Sequence, residues 1–237
     1  VMSLHDYRQI CPSYLLLDKE KNICEKCKDK NYFHCMLTKC SKGSFVESTF
    51  LAVEMWFRRI FYKTEKYVDR FICVSHCQHN KHFEFNQEMA DKTVVLYNSS
   101  EQEPWRGINR GNYIFFYGRF SREKGINTLL SAVSQLPHVK LKIAGTGLEE
   151  YQNIPSNVEF LGFKEGKELQ DLVYNSSFVI MPSEWYEPFG LSCLESLALG
   201  KPVIASNIGA LPEMVTDGKN GYLTVPKNAI NLKETIE

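Results

Sequence analysis

Short apolar runs alternate with helical patterns along most of the chain, and the clearest example covers residues 178–205. Residues 178–181 are apolar throughout, which is typical of a buried strand, and Pro182 ends the run. A helix with leucines at helical spacing is predicted from about Phe189 to Gly200, and residues 203–205 form the next strand. A strand, a loop, a helix and a second strand in this order form one unit of a parallel sheet.

The same alternation continues on both sides of this unit. Further strands are predicted at 71–75, 93–97, 113–117, 139–144, 158–163 and 222–225, and helices at 76–89, 126–136 and 166–174. A short strand also precedes His5, and Pro212 is expected in the first turn of another helix. The pattern predicts an α/β fold with parallel, doubly wound sheets, more complete in the second half of the chain than in the first.

Residues 44–67 are predicted to form one long helix that is apolar over most of its surface. Ser44 and Glu47 fit a capping box, and basic residues collect at the other end: Arg58, Arg59, Lys63 and Lys66. One interpretation is a core helix packed on the sheet, which is the commoner use of such a pattern. The other is a helix that also contacts an anionic membrane and so favours a lipid-linked acceptor.

Composition limits the classes of protein. The 237 residues are 43% hydrophobic, enough for one large or two small domains with real cores. Lys and Arg number 28 and Asp and Glu 28, so no basic field suggests a nucleic-acid partner. No secretory signal is evident, so we expect a cytoplasmic protein without disulfides. The abrupt first strand and the helical pattern at 229–237 lead us to expect a fragment, with both domains truncated.

Five cysteines cluster near the start of the chain, within an irregular insertion at about 11–40: Cys11, Cys24, Cys27, Cys35 and Cys40. Cys24 and Cys27 form a C-x2-C pair, the usual first half of a thiolate metal site. Four thiolates, from Cys11, Cys24, Cys27 and Cys40, could hold a structural zinc ion, with His34 as a spare ligand. The alternative is a set of reduced thiols without metal.

The helix predicted near Phe189 starts at a place suited to an anion. Its first backbone N–H groups, at Phe189, Gly190 and Leu191, have no partner within the helix, and the helix dipole is positive there. Gly190 has no side chain to block a close approach. Glu195 lies roughly 7–8 Å further along the axis, where its carboxylate can accept hydrogen bonds from ribose hydroxyls. Glu187 and Glu195 stand in E-x7-E spacing.

A second group of candidate residues follows the strand at 113–117. The loop Gly118-Arg119-Phe120-Ser121-Arg122-Glu123-Lys124-Gly125 carries two cations, Arg119 and Lys124, that suit a diphosphate at the carboxyl edge of a sheet. A solvated loop with surface charges is the alternative, less favoured because the same domain has a helix-start anion site. Thr146, between two glycines after the next strand, is a weaker candidate.

These two segments resemble the donor site of retaining glycosyltransferases with the GT-B fold, specifically family 4, the group 1 transferases. The resemblance is carried by E-P-F-G-L-S-C-L-E-S-L-A-L-G-K-P-V-I-A-S-N-I-G-A-L-P-E-M-V and by G-R-F-S-x-E-K-G. It implies two Rossmann-like domains and a nucleotide diphosphate sugar, with its phosphates on Arg119 and Lys124 and its ribose on Glu195. It further implies that the base lies near Phe163.

The resemblance also implies that His5 reaches the donor sugar across the cleft and that Glu187 contacts the sugar's hydroxyls. A His bonded to backbone at the strand end is the alternative for His5. The sequence departs from the family at Ser99, where an Asn-Gly turn is usual. No metal or other cofactor is implied for catalysis.

We therefore predict the end of an acceptor-side domain at 1–103, a linker at 104–112 and a nucleotide-sugar donor domain at 113–237. The predicted activity is retaining sugar transfer to a sugar or lipid-linked acceptor in surface polysaccharide or glycolipid synthesis, by a cytoplasmic protein or one at the inner face of the cell membrane. The alternatives are a GT-B-fold phosphorylase, a nucleotide-sugar epimerase, and a non-catalytic metal-binding interaction module.

Overall fold

The computed structural model describes residues 1–100, 109–147, 151 and 154–237, so residues 104–108 of the predicted linker lie outside the described residues. The chain divides into two compact units. The first comprises Val1–Asn98 and Trp185–Phe189, and the second Ser99–Glu184 and Gly190–Glu237. Each unit contains a parallel sheet, which confirms the predicted α/β class.

The first unit contains a three-stranded parallel sheet, with strand order β1-β2-β3. Its strands are β1 (Met2–Leu4), β2 (Phe71–Cys73) and β3 (Thr93–Val95), and its helices are α1 (Phe33–Thr38), α2 (Phe45–Phe57), α3 (Thr64–Tyr67) and α4 (His76–Phe85). A 3-10 helix, Gln87–Lys92, precedes β3. Leu4, Phe71 and Cys73 from the sheet pack with Met89 in a small core.

The long helix predicted at 44–67 is interrupted. Ser44 caps α2 by accepting a hydrogen bond from the N–H of Glu47, as the capping box predicts. The helix continues from α2 into a π-helical turn, Arg58–Tyr62, and ends at Lys63, whose backbone is left-handed with φ 32°. The prediction of one helix to residue 67 is therefore wrong, and no Gly or Pro marks the break in the sequence.

Only one side of this helical segment is buried. Ser48, Ala52 and Met55 face the interior, and Ala52 and Met55 pack with Tyr32 and Cys35. The other side carries a stripe of large exposed apolar residues at spacings of three and four: Val46, Phe50, Val53, Phe57 and Phe61. The segment is therefore not buried all round, as a core helix with this composition would be.

The second unit contains a six-stranded parallel sheet in the order β6-β5-β4-β7-β8-β9. The strands are β4 (Ile114–Arg119), β5 (Leu141–Thr146), β6 (Val158–Phe160), β7 (Val179–Met181), β8 (Val203–Ser206) and β9 (Gly221–Thr224). The helices are α5 (Ile126–Val133), α6 (Gly166–Tyr174), α7 (Leu191–Ala198), α8 (Leu211–Met214) and α9 (Ala229–Ile236). The sequence predicts each of these strands and helices, and the bounds differ by a few residues.

Helices cover both faces of this sheet, which explains why its strands are apolar throughout. Ile114 and Phe116 on β4 pack with Leu129 of α5. Phe115, the intervening residue, points to the opposite face and packs with Cys193 of α7. A strand buried on both sides gains nothing from alternating polar residues, so it appears in the sequence as a continuous hydrophobic run.

The cysteine-rich insertion lies in the first unit and has little regular structure beyond α1 and a bridge between Leu17 and Ile23. Cys35 and Cys40 are joined by a disulfide. The expectation of no disulfides is wrong for this pair, because α1 ends in a left-handed turn at Lys39 that brings the two Cα atoms to 5.3 Å. The expectation was based on the cellular compartment, which says nothing about whether two cysteines lie close together in the fold.

Candidate functional site at the carboxyl edge of the second sheet

Three predicted site residues follow neighbouring strands at one edge of the sheet. Arg119 at the end of β4 is paired in register with Thr146 at the end of β5. The N–H of Gly145 donates to the carbonyl of Gly162 at 2.9 Å, which places Phe163, beyond β6, beside the same edge. The structure thus brings Arg119, Thr146 and Phe163 to adjacent carboxyl ends, as the sequence predicts.

The strand order reverses at β4. From β4 the chain proceeds to β5 and β6 on one side of the sheet and then crosses to β7 on the other. In open α/β sheets, ligands bind outside the carboxyl ends of the strands at such a reversal. The loops that follow β4 and β7 flank this position, and they carry the two sequence signatures.

These two loops are fastened to each other. Gly125 has a left-handed backbone, with φ 73°, and a Cβ there would lie 1.8 Å from the carbonyl oxygen of Pro182. The N–H of Glu184 donates to the carbonyl of Glu123 at 2.8 Å. The hydroxyl of Thr128 donates to the Glu184 carboxylate at 2.5 Å. Sequence reasoning missed Glu184 and Thr128, because nothing in their spacing distinguishes them from other polar residues.

Glu123 is buried beneath the loop that carries Arg119. Its side chain is 3% exposed, whereas that of Arg119 is 66% exposed, and the guanidinium lies 3.9 Å from the carboxylate. Among the described residues, Oε2 of Glu123 and Oγ of Ser121 are buried without a hydrogen-bond partner. The buried carboxylate attracts the guanidinium of Arg119, which remains accessible from solvent.

Lys124 ends a short 3-10 helix, Arg122–Lys124, and is half-buried. Its N–H donates to the carbonyl of Ser121 at 3.0 Å, so the loop has a defined conformation. Arg119 and Lys124 therefore belong to a structured turn, and their role toward a diphosphate stays a prediction.

Helix α7 begins at Gly190, whose backbone is left-handed with φ 92°. No side chain caps this end within the described part of the chain. The first N–H groups of α7 and the positive end of its dipole are therefore available to an anion. Leu191, the first residue of this helix, is 51% exposed.

Tyr117 links β4 to α7 and was not identified from the sequence. Its hydroxyl lies 2.7 Å from the carbonyl of Ser192, 3.2 Å from Oγ of Ser196 and 3.4 Å from Oε2 of Glu195. Burial raises the pKa of Glu195, and the bond from Tyr117 opposes the shift. Glu195 is thus half-buried on the helix where the sequence predicts a ribose contact, and a phenol from the sheet orients it.

Trp185–Phe189 is grouped with the first unit. The indole N–H of Trp185 donates to the carboxylate of Glu187 at 3.0 Å, and Glu187 is buried. The hydroxyl of Ser75 donates to the carbonyl of Pro188 at 2.6 Å, and the ring of Phe189 lies 5.9 Å from that of Tyr97. The loop therefore has defined contacts with the start of α4 and with the chain beyond β3.

His5 directly follows β1 and is exposed. It lines a small depression together with other residues of the β1 end, including Asp6 and Arg8. Its reach toward a sugar stays a prediction.

Two kinds of feature, a metal-binding cluster and a membrane-spanning helix, are absent from the residues that the structure describes. No three His, Cys, Asp or Glu side chains are already arranged to hold a metal ion. None of the helices is both long enough and apolar enough to span a bilayer.

Comparison with known proteins adds the family. Residues 99–237 match the family described as Glycosyl transferases group 1. An uncharacterized glycosyltransferase of Methanocaldococcus jannaschii is 34% identical in a 177-residue alignment that covers 71% of this chain and 48% of that protein. Glycogen synthase of Mycobacterium tuberculosis is 31% identical over 135 residues, covering 52% of this chain and 32% of that protein. The chain thus spans half or less of the length of these relatives.

Solved structures show the same fold. Sucrose-phosphate synthase of Thermosynechococcus elongatus is similar with a TM-score of 0.60 and 26% identity, over 73% of this chain and 50% of that one. Anabaena HepE in complex with UDP and glucose is similar with a TM-score of 0.65 and 20% identity, over 99% of this chain and 60% of that one. The chain has the GT-B fold.

Proposed function

The chain belongs to the group 1 glycosyl transferases, and on that premise we propose that it binds a nucleotide diphosphate sugar at the carboxyl edge of the second sheet and transfers the sugar with retention. The observation that carries this proposal is the fastening of the Arg119 loop to the loop after β7, at the point where the strand order reverses. In that position two cations and a helix start suit one diphosphate.

The donor is held by groups of different kinds. Arg119 and Lys124 bind the phosphates, and the N–H groups at the start of α7 complete the anion site. Glu195, oriented by Tyr117, accepts hydrogen bonds from the ribose hydroxyls. Phe163 lies beyond β6 beside the same edge and is 64% exposed, so it is available to a base. The complex of HepE with UDP supports a uridine nucleotide as the first candidate.

The same groups act on the chemical step. As the bond between the anomeric carbon and the phosphate oxygen breaks, negative charge grows on the leaving diphosphate. Fixed cations and helix N–H groups stabilise that charge without reorganising. Glu187 is assigned to the sugar hydroxyls and His5 to the sugar from the acceptor side, both from the family resemblance. Neither is assigned as a nucleophile.

The donor assignment is tested by titrating nucleoside diphosphates into the chain, beginning with UDP and GDP. Arg119→Ala and Lys124→Ala each remove a charge-assisted contact of roughly 1.5–3 kcal/mol, so affinity falls about tenfold to a hundredfold. Arg122→Ala is the matched control for Arg119 in the same loop, and Lys140→Ala, before β5 at the opposite edge, is the control for Lys124. Equal losses in the controls would refute the assignment.

Retention and the acceptor need the enzyme in its full length. We expect the anomeric proton of the product, followed by NMR, to show the same configuration as in the donor. The acceptor is proposed to be a growing polysaccharide or a lipid-linked sugar. Helix α2 and the π-helical turn that follows it, together called the α2 segment, carry the exposed apolar stripe next to Lys63 and Lys66. This stripe favours an acceptor presented at an anionic membrane surface.

The enzymatic alternatives have less support. The sequence has no recognisable pyridoxal-phosphate lysine motif of the kind that phosphorylases carry, and no contact described above favours an epimerase. Incubating donor with phosphate alone and with an acceptor separates phosphorolysis from transfer. A purely metal-binding role would leave the donor-edge geometry unexplained.

A further inference from the structure

Six potential metal ligands surround one small cavity in the first unit: Cys11, Cys24, Cys27, His34, Cys35 and Cys40. The cavity has a volume of about 10 Å³, close to the roughly 10–15 Å³ that a single water molecule needs. It is far smaller than a substrate pocket. Its lining is rich in sulfur, the donor that soft metal ions prefer. In the present arrangement, with Cys35 and Cys40 paired in a disulfide, no three of these side chains are placed to hold an ion.

The backbone brings the thiols together from distant parts of the insertion. The N–H of Cys24 donates to the carbonyl of Leu16 at 2.8 Å, and the sulfur of Cys11 lies 3.3 Å from Oγ of Ser13. Cys27 and Cys40 pack against the small core that contains Cys35, and Cys11 and Cys24 line the same cavity. The C-x2-C pair and Cys11 thus converge on the cavity.

Cys35 and Cys40 both line the cavity, and their surroundings decide which of the two we assign as the fourth ligand. The sulfur of Cys35 also contacts the carbonyl of Ser48 at 3.6 Å, and Cys35 is packed against Ala52 and Met55. Cys40 is half-buried, lies just beyond the left-handed turn at Lys39, and is less committed to the core.

We propose that the reduced chain binds one zinc ion through Cys11, Cys24, Cys27 and Cys40. Zinc prefers tetrahedral thiolate sites of this composition. On binding, a Zn–S bond forms at each of the four cysteines, and each thiol loses its proton to solvent. Beforehand the Cys35–Cys40 disulfide takes up two electrons and two protons; a phosphine reductant with water supplies them and becomes phosphine oxide.

A metal ion at this cavity would also restrain residues outside the cysteine-rich insertion. Glu25, between Cys24 and Cys27, lies 2.7 Å from the ammonium of Lys81, and that ammonium lies 4.5 Å above the ring of Tyr186. Tyr186 precedes Glu187. A zinc ion at the C-x2-C pair therefore fixes a chain of contacts that reaches the loop carrying a predicted sugar contact.

The test measures zinc content by mass spectrometry after dialysis, with and without phosphine. The wild-type chain is expected to retain about one zinc ion only after reduction. Cys35→Ser, which cannot form the disulfide, is expected to bind zinc without reductant. Cys40→Ser is expected to bind at least tenfold more weakly under both conditions, and His34→Ala to behave like the wild type.

Substitution with Co²⁺ keeps the proposal testable should Cys40→Ser fold poorly. The reduced wild-type chain is expected to show intense thiolate-to-cobalt charge-transfer absorption and the visible bands of a tetrahedral site. The proposal is overturned if neither the reduced wild type nor Cys35→Ser binds zinc. It is equally overturned if His34→Ala loses zinc while Cys40→Ser, folded by circular dichroism, retains it.

Discussion

At the residue scale, Tyr117 joins the second sheet to the helix that carries Glu195. It lies on β4, and its hydroxyl contacts three residues of α7: Ser192, Glu195 and Ser196. Its sequence context is an apolar strand, where a tyrosine resembles any other core aromatic. Only the fold shows that its hydroxyl reaches the helix.

Tyr117→Phe tests this role. The substitution removes a buried hydroxyl, so we expect the free energy of unfolding to fall by about 1 kcal/mol. Loss of the contact to Glu195 is expected to weaken nucleoside diphosphate binding roughly two- to tenfold. Tyr113→Phe is the control, because its hydroxyl donates to the carbonyl of Leu172, away from α7, at the same distance of 2.7 Å. Unchanged binding by Tyr117→Phe would contradict the role.

The buried His82 leads to a prediction of how the stability of the first unit depends on pH. It is 1% exposed, and burial lowers its pKa from 6.5 to about 4. The unfolded chain protonates this residue below about pH 6.5 and the folded chain only near pH 4, so stability is lost as pH falls through that window. The loss from this group approaches roughly 3 kcal/mol at the acid end.

His82→Gln is expected to reduce this pH dependence. The measurement is urea unfolding at pH 7 and pH 5, followed by a signal from the first unit. His79→Gln, on the same helix but only half-buried, is the control and should retain the wild-type slope. A slope that is identical in His82→Gln and the wild type would show that other groups dominate.

At the element scale, a helix or strand could be predicted from the sequence where local interactions determine its start and end. Residues 178–205 were predicted nearly as observed, because a buried parallel strand, Pro182 and a Gly-terminated helix all leave marks in the sequence. Arg119 and Thr146 could be placed at one edge for the same reason. The break at Lys63 could not, since a lysine in a left-handed conformation leaves no such mark.

The contacts that unite the donor edge were also invisible in the sequence. Glu184, Glu123 and Thr128 meet across loops that are separated by as many as 61 positions, and their residue types are common in solvated loops. The Cys35–Cys40 disulfide was missed for a different reason: local turn geometry decided it. Site residues that belong to motifs were predictable, whereas the residues that support them needed the fold.

The α2 segment yields a prediction about membranes. We expect the chain to co-sediment with vesicles containing anionic lipid, and less so at high salt. Phe50 and Phe61 are each 70% exposed, and burying a phenylalanine is worth about 1.5–3 kcal/mol. Phe50→Ser with Phe61→Ser is therefore expected to lower partitioning at least about tenfold. Tyr222→Ser, an exposed aromatic of the second unit, is the control.

This vesicle experiment has a clear negative outcome. Equal sedimentation of the double variant and the wild type would exclude the stripe as the contact surface. Equal sedimentation with neutral and anionic vesicles would exclude a part for Lys63 and Lys66.

At the scale of the whole molecule, the two units differ in what holds them together. The second unit has continuous apolar clusters on both faces of a six-stranded sheet. The first has three short strands, several small clusters and an irregular insertion. A metal cross-link in the insertion would compensate for a limited core. Donor binding is therefore expected to depend on the second unit, and zinc content on the first.

The most direct test of the central claim is a crystal structure of the protein with a bound nucleoside diphosphate. We predict that its phosphates lie within hydrogen-bond distance of Arg119, Lys124 and the N–H groups at Gly190 and Leu191, with the ribose hydroxyls on Glu195. A nucleotide bound at the amino edge of the sheet, near Lys140, or one whose phosphates contact neither Arg119 nor Lys124, would contradict the account.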